Sequence, residues 1–198
     1  MRLFIYNTIV RFETSLRITD FPRLVQAHLA RVSNTLAYEQ LGQNVISQEF
    51  AWVVLRDFIF KVCGWGGYSG IAGRIISQNT PEHIQAQFIQ AHTHMTVATP
   101  QAGVALHAIN QIKQLGTPSF ASKQLRFLYP RVCPVLDQVV SGLGYAFTPT
   151  GYQAFATDCA TIATALADQH IENPIVRPSK QWFAGDIDMA LFAHLNDW

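Results

Sequence analysis

Residues 115–144, LGTPSFASKQLRFLYPRVCPVLDQVVSGLG, constrain the fold of this chain more than any other stretch. A glycine-containing turn runs into Pro118, a residue suited to the first turn of a helix. A pattern with helical period follows over 119–129, then a proline-bounded connector, then a short apolar helix closed by glycine. Two helices joined by a turn as short as 115–118 must lie against each other as a hairpin. The connector carries one acid, Asp137, among Cys133, Val135, Leu136, Val139 and Val140. A carboxylate in such surroundings either caps the helix behind it or carries out chemistry, and the residues alone leave both open.

Helical periodicity dominates elsewhere. Apolar residues at helical spacing predict helices over 21–38, 50–62, 81–94, 99–114, 151–170 and 186–195, the last with Asp186 near its N-cap. Between the second and third lies CGWGGYSGIAG, with five glycines in eleven residues, which reads as a turn or a close backbone approach. Strand character is confined to 3–12. The fold class is therefore all-α, with 1–198 forming a single helical domain and no linker or repeat.

Charge limits what such a domain can bind. Charged residues make up 14% of the chain against 49% apolar, and the net charge is +1 from ten Arg, four Lys and 13 acids. Strong sequence-independent binding of nucleic acid goes with a more basic balance, although a small positive cleft on a neutral body is compatible. Cys63, Cys133 and Cys159 form no C-x-x-C pair and are odd in number, which predicts free thiols in a reducing compartment. The N-terminal MRLFIYNTIV makes a poor secretory signal and no apolar run reaches membrane-spanning length, so a soluble cytoplasmic protein is expected. His92 and His94 are two apart, which on a helix points them to different sides; no metal and no cofactor is expected. No phosphate-binding glycine loop, Ser–His–Asp set or zincin motif occurs.

The helix over 119–129 divides by face. Phe120, Ala121, Leu125 and Leu128 form an apolar stripe; Ser119, Ser122, Lys123 and Arg126 form a polar one at i, i+3, i+4 and i+7. A polar stripe is commonly a solvated face. Beside a turn whose backbone N–H groups at Gly116 and Thr117 can hold a phosphate, it can equally be a DNA-contacting face.

The ordered set formed by this segment, CGWGGYSGIAG and the terminal DIDMALF resembles the helix–hairpin–helix DNA glycosylase superfamily, closest to its 8-oxoguanine DNA glycosylase-like bacterial branch. The likeness runs from about residue 50 to the C-terminus and leaves 1–48 uncovered; 99–145 holds the hairpin and the acid. It implies a two-lobed helical domain that binds double-stranded DNA as a monomer, associated with a bacterial nucleoid. It implies excision of a damaged or modified base, such as the oxidised purine 8-oxoguanine. The base is flipped into a pocket and Asp137 stabilises the oxocarbenium-like transition state.

Gly116, Thr117, Ser119, Ser122 and Arg126 would contact DNA. Trp65, Tyr68, Gln138 and Trp182 would form the base pocket; core packing for Trp65 and Trp182, and a simple exposed glutamine at Gln138, are the plain alternatives. Members that form a Schiff base carry a lysine just after the hairpin's second glycine. Here that place falls on Pro118 or Ser119, and the nearest lysine is Lys123, one turn further. Lys123 then acts as nucleophile from deeper in the site, or contacts phosphate while Asp137 activates water, or the chain is a catalytically inactive DNA-binding or interaction protein. The second reading is preferred, because phosphate contact needs only a charge.

Overall fold

The computed structural model describes residues 4–5, 8–11 and 14–198, and the fold is helical. Among these residues, short antiparallel strands β1 (Phe4–Ile5), β2 (Thr8–Arg11) and β3 (Thr14–Arg17) pair in chain order, with Phe4 opposite Ile9 and Thr8 opposite Arg17. The strand character expected over 3–12 falls partly on β1 and β2; residues 3, 6, 7 and 12 lie outside the described set. Ten helices follow: α1 (Phe21–Arg31), α2 (Thr35–Ser47), α3 (Trp52–Trp65), α4 (Ser69–Gln78), α5 (Pro81–Met95), α6 (Ala102–Ile109), α7 (Pro118–Leu128), α8 (Gln138–Ser141), α9 (Pro149–Asp168) and α10 (Ala184–Leu195).

Where the helices differ from expectation, local chemistry gives the reason. The single helix expected over 21–38 is two, broken at 32–34, where Thr35 donates its hydroxyl to Val32 O, a local bond of the kind that competes with helix. The glycine-rich 63–73 is mostly helix: α3 and α4 absorb Gly64, Gly70 and Gly73, and the chain turns only at 66–68, with Gly67 at φ +83°. Helix α6 ends at Ile109 rather than near 114, with Asn110 as its C-cap, and in the turn that follows the left-handed residue is Gln114, at φ 75°, and not Gly116. Gly144, at φ +96°, does close the segment after α8.

The segment between α6 and α7 is held from outside. Asn79, at the end of α4, accepts from Lys113 N (3.0 Å) and donates to Lys113 O (3.1 Å), fixing the segment between α6 and α7. Helix α7 packs against α2, α3 and α6, and α1 packs against α10, so the first and last helices meet. The α2–α7 crossing is very close: a Cβ on Gly42 would lie 2.0 Å from Phe127 O. Gly42→Ala must push the two helices apart, and we expect a loss of about 1–3 kcal/mol in denaturant unfolding, the usual cost of overpacking.

A candidate active-site cleft

Segments distant in sequence meet in a cleft of about 750 Å³. The first turn of α7 contributes Thr117, Pro118, Ser119, Phe120 and Lys123. The connector and α8 contribute Val135, Asp137, Gln138, Val139 and Ser141, and the α3–α4 turn contributes Trp65, Gly66 and Tyr68. His28 and Val32 from the end of α1, Asp188 and Phe192 from α10, and Phe147 complete it.

Asp137 is the N-cap of α8: Oδ1 accepts from Val139 N (3.0 Å) and Val140 N (3.1 Å). The acid is half-buried, and its second oxygen, Oδ2, makes no hydrogen bond among the described residues. Capping and a place in the cleft thus coexist. The connector is pinned to α7 by Ser122, whose hydroxyl accepts from Leu136 N (3.1 Å), the residue before the acid.

Lys123 is buried, with its ammonium stem laid along α7 so that Nζ donates to Ser119 O (3.3 Å) and Ser119 Oγ (3.0 Å). Its Nζ lies 5.6 Å from the centre of the Phe120 ring. Burial pushes the amine below the ordinary lysine range, against the opposing pull of Asp137 and Asp188. Gly66 makes room for this stem: a Cβ there would come within 3.0 Å of Lys123 Cδ.

Two cleft residues escaped sequence reasoning. Asp188 is 4% exposed and its Oδ1 has no partner among the described residues; burial, with Asp137 adding, raises it to about 7. His28 is 3% exposed with neither ring nitrogen bonded among the described residues, packed edge-on to Phe192 at 5.8 Å; burial, then the nearby Arg126 charge, lowers it to about 4. Signals for both existed. His28 sits on the apolar side of its helix, four residues after Leu24, and Asp188 is a second acid inside the apolar run of DIDMALF.

The sign of the Asp188 effect is testable. Between its ordinary value of 3.8 and about 7, the folded chain keeps a proton that the unfolded chain has lost, so stability falls as pH rises through that window. Asp188→Asn removes the titration. Its stability relative to the parent should rise between pH 4 and pH 8, by on the order of 3 kcal/mol, in urea unfolding at the two pH values.

Of the residues expected in a pocket, Trp65, Tyr68 and Gln138 line the cleft. Trp65 donates Nε1–H to Thr35 Oγ1 (3.3 Å) and meets Phe127 edge-on at 4.9 Å; Tyr68 is 63% exposed and rests edge-on against Phe120. Trp182 does not line it: it is buried against Phe21 and donates to Ile171 O (2.7 Å). Gly116 and Thr117 are exposed and Ser119 is at the rim. Ser122 and Arg126, expected on a DNA-facing stripe, are fully buried. The stripe finds its partners inside the protein: Ser122 bonds the connector, and Arg126 pairs with Glu39 Oε1 (2.5 Å) and donates to Gly185 O (3.4 Å).

Among the described residues no helix is long and apolar enough to cross a membrane. No family of known proteins, no curated protein and no solved structure matches the chain.

Proposed function

We propose that this protein is a DNA glycosylase that takes a damaged or modified base out of duplex DNA and cleaves its bond to the sugar. One observation carries the reading: Asp137, chosen from sequence as the acid of the reaction, shares a cleft with Trp65, Tyr68, Ser119, Lys123 and Gln138, drawn from three separate segments. The cleft combines aromatic walls, suited to the faces of an extruded base, with polar groups on its floor. Asp137 is fixed by two backbone N–H groups, so its carboxylate is pre-positioned beside the charge that develops on the sugar. Asp188, retaining its proton up to about pH 7, and neutral His28 also line the cleft, and Asp188 Oδ1 and both His28 ring nitrogens are buried and without a partner among the described residues. On this reading DNA lies across α7's first turn, with phosphate held by the backbone at 116–119. An oxidised purine such as 8-oxoguanine is the first substrate to try.

A second reading, a DNA-binding protein of the same fold without catalysis, is favoured by one feature. Pro118 and Ser119 stand where members of the superfamily that form a Schiff base carry their lysine, so the hairpin lacks that nucleophile. A panel of duplexes carrying lesions and modified bases separates the two. Glycosylase action gives free base and abasic product that depend on Asp137, whereas salt-sensitive binding with no base released from any duplex leaves the second reading standing.

A further inference from the structure

Lys123 occupies the cleft in a way that phosphate contact does not require. A phosphate-contacting lysine works from a solvated surface, yet this one is 7% exposed, and Gly66 leaves space for its stem. It makes no ion pair with Asp137 or Asp188 among the described residues; its hydrogen bonds go to Ser119 O and Ser119 Oγ. These two bonds leave one further position on Nζ open, a third N–H when the amine is protonated and a lone pair when it is not. The titratable groups acting on the amine come from three elements: Asp137 before α8, Asp188 on α10 and Cys63 on α3.

We infer that Ser119 and Lys123 form a hydroxyl–amine pair that holds and deprotonates the water attacking the sugar, Lys123 being the general base; this rests on the glycosylase reading. The C1′–N bond breaks and its electron pair leaves with the base. The water oxygen bonds C1′, its proton passes to Lys123 Nζ, and the departing base takes a proton from solvent. Asp137 stabilises the cationic sugar between these events and does not itself carry the proton. No covalent enzyme–DNA link forms.

The test uses the full chain and the panel duplex from which it releases most base, in single-turnover assays across pH 5–9. Lys123→Gln should slow release by about 100-fold or more, the usual contribution of a general base, and lose the alkaline-rising limb of the parent's pH profile. Lys123→Arg places a permanently protonated group there that cannot accept a proton at these pH values, and should be as impaired. Ser119→Ala should retain the limb at a reduced rate. Borohydride should trap no adduct with the parent. Release by Lys123→Gln or Lys123→Arg at the parent's rate, or a borohydride adduct lost in Lys123→Gln, overturns the inference while the glycosylase reading stands. Absence of release by the parent on every duplex overturns both.

Discussion

Asp137→Asn should stop base release while leaving the fold intact. The two roles of this side chain separate cleanly under that substitution. Asparagine is as good an N-cap as aspartate, so the bonds from Val139 N and Val140 N to Oδ1 can persist and α8 should form as before. What disappears is the negative charge beside the sugar. Removing one preorganised electrostatic contact to a developing charge costs roughly 100- to 1000-fold in rate, about 3–4 kcal/mol of transition-state stabilisation. The expected result is therefore a single-turnover rate down by that factor, with a melting temperature close to the parent's and duplex binding retained. Release at the parent's rate would remove Asp137 from the chemistry and leave it a helix cap.

The distinction matters because the sequence could not make it. An acid after a proline and before VV reads equally as a cap or a catalyst, and what decides its neighbourhood is where the chain ends pack. His28 and Asp188 reach the cleft only because α1 lies on α10, an encounter between residues some 160 positions apart that no periodicity encodes. By contrast α5, α7 and α10 were legible nearly to their ends, since Pro81, Pro118 and the apolar run after Asp186 mark starts by backbone chemistry alone. The same rule misled at 63–73. Glycine permits a turn but does not compel one, and there the apolar spacing of α3 and α4 prevailed over all but Gly67. Arg126 was misread for a related reason: helical spacing groups residues on a face but cannot say whether water or another side chain meets it.

What meets Arg126 leads to the largest stability effect expected in this chain. Its guanidinium is fully buried and pairs with Glu39 of α2; Glu39 also binds Arg177, which pairs in turn with Asp186 of α10 at 2.5 Å. Burial alone would raise the Glu39 carboxyl, but the Arg126 and Arg177 charges outweigh it and hold it below the usual carboxylate range. Arg126→Met keeps most of the volume and removes the charge, so a buried carboxylate is left with one cationic partner instead of two. Breaking such a pair from one side costs about 3–5 kcal/mol. For a chain of this size that corresponds to a melting point lower by roughly 10 °C. The pH dependence supplies a check that simple packing loss would not. A depressed carboxyl contributes stability that is present above its unfolded value and vanishes as pH falls through the folded one. The deficit of Arg126→Met should therefore be largest at neutral pH and shrink in acid, below the ordinary carboxylate range, and Glu39→Gln in the same background should recover part of it. His28 offers an independent readout, since the Arg126 charge helps keep it at about 4. In Arg126→Met its imidazole resonance should titrate at higher pH, and an unmoved His28 together with a pH-independent deficit would mean that Arg126 acts by shape and not by charge.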